Sequence, residues 1–127
     1  MRFLNVVVVA ALAMSGLLGL SKLASAQGDA VQGRDLYQRS CIGCHGDKET
    51  VQRVGPSLVG LVGRRAGTVA GSPYSRNLYD ADIVWNEKSL QSFLASPTDA
   101  VHGTIMPIGV HDPRERDDII AYLKTLK

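Results

Sequence analysis

The chain has 127 residues, 45% of them hydrophobic, two cysteines and a formal charge of +2. That length fits one domain and not comfortably two. The charge makes no electrostatic case for nucleic acid, which takes a basic patch or stripe, and two cysteines are too few for a disulfide framework or a four-cysteine zinc site.

Residues 1–26 read as an export signal. Arg2 supplies a positive start, Val6 to Leu20 is an apolar run broken only by Ser15, Gly16 and Gly19, and Ala24-Ser25-Ala26 is a small-x-small cleavage site. The rival reading is an uncleaved anchor, since the stretch counted from Phe3 nears the ~18 residues a spanning helix needs. The small-residue site directly after the run favours cleavage after Ala26. The segment holds two basic residues, Arg2 and Lys22, and no acidic one, so residues 27–127 carry 12 of each and are formally neutral. With one Trp, two Phe and four Tyr in the whole chain, a core built from protein alone is lean.

Three helices are expected in residues 27–127. The first covers about Ala30 to Ser40, with Asp29 as N-cap and Gln32 in the capping-box position. Ala30, Gly33, Tyr37 and Cys41 share one of its faces. Next comes a glycine-rich stretch, with a short helical turn expected to start at Pro56 and another over Ser75 to Tyr79. The second main helix spans about Glu87 to Ser96, capped by Asn86, striped by Leu90, Phe93 and Leu94 and stopped by Pro97. The third runs from about Pro113 to Leu126, with Asp112 as cap and Glu115 completing a box. Ile119, Tyr122, Leu123 and Leu126 form its apolar stripe, and Lys124 and Lys127 sit at the negative end of its dipole. No strand pattern of convincing length appears. Loops this long suggest a backbone wrapped round something large.

Cys41-Ile42-Gly43-Cys44-His45 is C-x-x-C-H, the attachment motif for a c-type haem. Two thiols three residues apart on a helical turn can reach the vinyl groups along one porphyrin edge, and the next residue places an imidazole under the iron. A thioredoxin-like dithiol would sit in a βαβ context, which is absent. A zinc site would need two more ligands at finger spacing, which His102 and His111 do not provide. For the sixth position of the iron, Met106 is the one methionine outside the signal, and a thioether there raises the reduction potential. His102, His111 and an open position are its competitors.

These residues carry a resemblance. Gly33-Arg34-Asp35-Leu36-Tyr37, CIGCH at 41–45, GPSLVGLVGR at 55–64, Tyr74-Ser75, Trp85, GTIM at 103–106 and ERDDIIAYLK at 115–124 follow in order. The chain after the signal resembles the class I cytochromes c of the mitochondrial and alphaproteobacterial kind over nearly its whole length. The resemblance implies an all-α fold for residues 27–127: three main helices, short helical turns and long loops wrapped around one covalent haem. It implies haem c bound through Cys41 and Cys44, with His45 and Met106 on the iron. Pro56 would accept from the other nitrogen of His45. Arg64, Tyr74 and Trp85 would bond the propionates, and Thr104 would support the propionate or the methionine side. Gly33 and Tyr37 would cross Ile119 and Tyr122.

Two departures from that family stand out. Phe93 takes the place of a tyrosine whose hydroxyl meets the methionine sulfur. Ser40, Thr98, Asp99 and Ile105 occupy positions where the mitochondrial protein surrounds its haem edge with lysines, and Ile108 replaces a phenylalanine in a loop one residue shorter. A weakly charged, mainly apolar docking face is therefore expected. The function implied is non-enzymatic: one-electron transport in the periplasm by a monomer without a membrane anchor. It would meet redox partners through an exposed haem edge, taking electrons from a quinol-oxidising complex or a periplasmic dehydrogenase and passing them to a terminal oxidase or peroxidase. The alternatives are a haem enzyme or gas sensor with an open sixth position, and a dedicated subunit of one dehydrogenase.

Overall fold

The structure is a computed structural model that describes residues 27–46 and 54–127. The expected export signal, residues 1–26, lies outside the described residues. Within them the chain is helical: α1 Ala30–Ser40, α2 Ile42–His45, α3 Arg76–Asp80, α4 Glu87–Ala95, α5 Pro97–Ala100 and α6 Pro113–Leu123. Extended pairing among the described residues amounts to one isolated antiparallel bridge, Arg65 with Val84. No helix among them is long and apolar enough to cross a membrane.

α1 and α6 make the most extensive contact between elements, and α6 also packs on α4. The first crossing depends on a missing side chain. A Cβ on Gly33 would stand 1.9 Å from the carbonyl oxygen of Asp118, so only glycine lets the two backbones meet there. One turn further along α1, Tyr37 is fully buried, with its ring 5.2 Å from that of Tyr122. Its hydroxyl donates to the Gly46 carbonyl, which ties α1 to the end of α2. Because α6 serves both α1 and α4, its buried face is wider than the expected stripe and includes Ile120 beside Ile119 and Leu123.

The helix ends differ from expectation in ways that have local causes. Asp29 caps α1 by accepting from the amides of Val31 and Gln32, while its own amide donates to Asp118 in place of the capping-box partner. Asp112 likewise caps α6 through the Arg114 amide, without a box from Glu115. α4 does have a capping box, between Asn86 and Ser89. It ends at Ala95, not Ser96, because the residue before a proline is pushed out of the helical region; Ser96 is extended at φ −155° and ψ 93°. Pro97, expected only as a stop, also opens α5, where its fixed φ suits a first helical position. α6 ends at Leu123, three residues early. The chain then tightens into three-residue turns, Thr125 to Tyr122 and Leu126 to Leu123, and the Leu126 carbonyl accepts from Gly60. Lys124 pairs with Glu87 at 2.6 Å. The helical turn expected at Pro56 is absent: residues 56–58 are irregular, and the chain turns over 58–61. The other expected turn forms as α3, with Ser75 as its cap.

Candidate functional site

All nine residues picked from the sequence, Cys41, Cys44, His45, Pro56, Arg64, Tyr74, Trp85, Thr104 and Met106, line one cleft. The space between its walls is about 1290 Å³, counting the open side. The remaining wall is almost wholly apolar, with Leu58, Leu61, Leu78, Leu90, Phe93, Leu94 and Ile119 among its members. His102 and His111 do not line it, and both are exposed. Of the three side chains considered for the sixth position, Met106 lines the cleft and the two histidines do not.

α2 presents the cysteines and the histidine. Cys41 N-caps this short helix and is half-buried, whereas Cys44 is exposed. Burial, with a smaller contribution from Cys44, pushes the Cys41 thiol up to about 11. Dithiol redox chemistry is favoured by the opposite shift, so this environment does not favour an oxidoreductase couple. His45 lies 2.8 Å through Nδ1 from the carbonyl oxygen of Pro56. A carbonyl only accepts, so Nδ1 carries the proton and Nε2 keeps a free lone pair. Burial holds the imidazole below its ordinary value, against the opposing pull of the Pro56 bond, which favours the neutral form a metal needs. Gly55 completes this holder: a Cβ there would come 2.7 Å from Cε1 and 2.9 Å from Nδ1 of His45. The sequence reading gave Gly55 no role. Its only signal was a glycine directly before the proline that binds the histidine.

Arg64 and Trp85 stand beside each other because their backbones pair: the Trp85 amide donates to Arg64 at 2.9 Å, and the Gly63 amide to Trp85 at 2.7 Å. Arg64 donates from Nη1 to the Val59 carbonyl at 2.8 Å and from Nη2 to the Ser57 carbonyl at 2.7 Å. It makes no ion pair among the described residues, and burial lowers its pKa, opposed by nearby Tyr74. A half-buried guanidinium with unused donors and no acid beside it is a receptor for an anionic group. The Tyr74 hydroxyl accepts from the Val69 amide at 3.2 Å. Trp85 is buried and stacks edge-on against Phe93, centroids 5.1 Å apart. Thr104 lies on the methionine side, its Oγ1 accepting from the Met106 amide at 3.4 Å.

A helical chain whose apolar cleft joins a Cys-x-x-Cys-His turn, a fixed histidine, a loop methionine and an arginine held by backbone carbonyls has the make-up of a c-type haem protein. Residues 30–127 match the family model described as Cytochrome c. A cytochrome c of Euglena viridis is 44% identical over 101 residues, covering 79% of this chain and 99% of its own length. Cytochrome c2 of Rhodopila globiformis is 45% identical over 101 residues, covering 79% and 95%. Among solved structures, cytochrome cH from Methylobacterium extorquens matches with a TM-score of 0.71 at 40% identity, over 77% of this chain and 99% of its own. The chain belongs to the cytochrome c family. Its cofactor is covalent haem c, its two cysteines are those of the attachment motif, and its general role is that of an electron carrier acting with redox partner proteins.

Proposed function

We propose that the chain is exported, loses residues 1–26, and works in the periplasm as a one-electron carrier in which His45 and Met106 would bind the iron. Haem c, joined through Cys41 and Cys44, supplies an Fe(III)/Fe(II) couple. The observation that carries this reading is the selection made by the cleft: His45 and Met106 line it and the other histidines of the chain do not. His45 offers Nε2 because Pro56 holds the proton on Nδ1. Arg64, Tyr74 and Trp85 would hold the propionates, with the guanidinium supplying the countercharge that those carboxylates would need in an apolar setting. The surrounding Leu and Phe side chains exclude water and so limit reorganisation between the two oxidation states. Two ligands supplied by the chain leave no position for a substrate, which argues against the haem-enzyme and gas-sensor readings.

The mouth of the cleft is where electrons pass. Its exposed lining residues among those described include Ser40, Cys44, Val54, Ile105, Pro107 and Ile108, none of them charged. Val54, Ile105 and Ile108 are 71%, 60% and 52% exposed. Such a face suits an apolar, weakly charged partner surface, and lysine steering plays little part in the encounter. A quinol-oxidising complex or periplasmic dehydrogenase as donor, and a terminal oxidase or peroxidase as acceptor, remain within this proposal.

The deciding measurement is spectroscopic. Holoprotein made with its export and maturation machinery should give the pyridine haemochrome of a haem with two thioethers. Its ferric form should show the weak red-edge charge-transfer band of iron bound to methionine sulfur. Tight carbon monoxide binding by the ferrous form would instead favour an open-site enzyme or sensor. The second-order electron-transfer rate with the physiological partner should vary little with ionic strength, and a steep fall with salt would reject the uncharged docking face.

A further inference from the structure

The loop that carries Met106 leaves α5 and returns to α6, and its two ends are held differently. At its start, Val101 is buried and its amide bonds the Pro97 carbonyl at 2.9 Å; the Thr104 amide then bonds Val101 at 3.1 Å. These are local bonds within one turn. At its return end the partners are distant in sequence. The Val110 amide donates to the Leu94 carbonyl at 2.7 Å. Arg116, on the first turns of α6, donates from Nη1 to the carbonyls of Val110 and His111, both at 2.8 Å. Its Nε donates to Oε1 of Gln91 on α4 at 2.9 Å, and the Gln91 amide nitrogen in turn donates to Asp117. Arg116, Gln91 and Asp117 are all half-buried. One cation thus binds two consecutive carbonyls of the methionine loop and is itself oriented by a side chain of the helix beneath.

We propose that Arg116 is a positioning residue for the sixth ligand: it clamps the return end of the 101–112 loop and so keeps the Met106 sulfur on the iron. The inference rests on the reading of Met106 as that ligand. The physical reasoning is direct. A methionine on a loop stays bound only if the loop pays little entropy to hold it. Between Met106 and Val110 the described structure gives the loop no backbone bond to the rest of the protein, so the tether at Val110 and His111 sets how far Met106 can swing. Hydrogen bonds from a charged donor are stronger than neutral ones, and a guanidinium can serve two carbonyls and Gln91 at once where an ammonium cannot keep that fork. No spacing rule points to this role, because the partners are backbone carbonyls and a glutamine 25 residues away.

The test is displacement of Met106 from ferric holoprotein by imidazole, followed through loss of the methionine-sulfur charge-transfer band. Arg116→Gln should raise the apparent imidazole affinity about tenfold, the equivalent of one charge-assisted hydrogen bond. Arg116→Lys should fall between that variant and the parent. Asn86→Ala, which removes the α4 capping box far from the loop, is the control for general destabilisation. An unchanged affinity in Arg116→Gln, or a rise no larger than that of Asn86→Ala, overturns the clamp. If Arg116→Gln fails to fold, Gln91→Ala takes its place; it frees the Nε side of the guanidinium and should shift the affinity the same way by a smaller factor, and no shift overturns the clamp equally. A parent protein without the charge-transfer band defeats the Met106 reading, and the clamp with it. A band present but indifferent to these substitutions defeats the clamp alone.

Discussion

The α1–α6 crossing and the Met106 loop are held together by opposite means. At the crossing, backbone meets backbone: Gly33 lies against the Asp118 carbonyl, Tyr37 is sealed beneath against Tyr122, and Ile119 and Ile120 are 2% exposed. The loop has Met106 half-buried with exposed Ile105 and Ile108 on either side, and it depends on a handful of hydrogen bonds at its ends. Close packing resists any change of volume, whereas a loop fastened at two points can detach without disturbing what lies beneath. The crossing should therefore govern whether the protein stays folded, and the loop, on the proposed ligation by Met106, which ligand the iron keeps.

The largest expected effect comes from filling the crossing. Gly33→Ala places a methyl 1.9 Å from a backbone oxygen that has nowhere to go. It should cost about 3 kcal/mol or more in denaturant unfolding of the holoprotein. The charge-transfer band should survive in whatever fraction remains folded. A loss of the band at full stability would show that the two regions are not separable.

Next is Met106→Ala, which inverts the pattern. The band should vanish and the reduction potential should fall, because the thioether favours the reduced state. The stability loss should be about 2 kcal/mol or less, below the range for a fully buried methionine, since Met106 is half-buried. Tyr37→Phe returns to the crossing with a smaller probe. It leaves the ring packing and removes the donor to the Gly46 carbonyl. The expected cost is about 1 kcal/mol, again with the band unmoved.

The same contrast decides what could be read from the sequence. The two faces of the crossing were legible because they are periodic, Gly33 and Tyr37 on one helix, Ile119 and Tyr122 on the other; that they meet was implied by the family resemblance. The covalent attachment and the histidine were legible because they are contiguous, as Cys41 to His45. Ile120 escaped because one apolar stripe implies one partner, and α6 has two. The ends of α4 and α6 moved inward by one and three residues, where Ser96 meets Pro97 and where the Leu126 carbonyl is taken by Gly60. Gly55 and Arg116 were invisible for a common reason. Their function is to meet an atom of a residue far along the fold, an imidazole edge in one case and two carbonyls in the other, and no spacing rule encodes that meeting.

The smallest expected effect lies at the start of α1, just outside the crossing. The Asp29 carboxylate accepts from the amides of Val31 and Gln32 at 2.8 and 3.2 Å. Those bonds hold its pKa below the ordinary 3.8. A carboxyl depressed on folding contributes stability that is present above its unfolded value and is lost as pH falls through the lower folded value. Asp29→Ala should therefore lower the denaturation midpoint slightly at about pH 6, and the gap from the parent should narrow as both are taken towards about pH 2. The Asp29 amide, which donates to Asp118 at 2.6 Å, survives the substitution. The crossing keeps that link, so the midpoint shift reports the cap alone. A gap that stays constant across the titration would mean that the ionised carboxylate contributes nothing. A change in the charge-transfer band would mean that fraying at the end of α1 reaches the haem side of the molecule, and that the division between crossing and loop is too sharp.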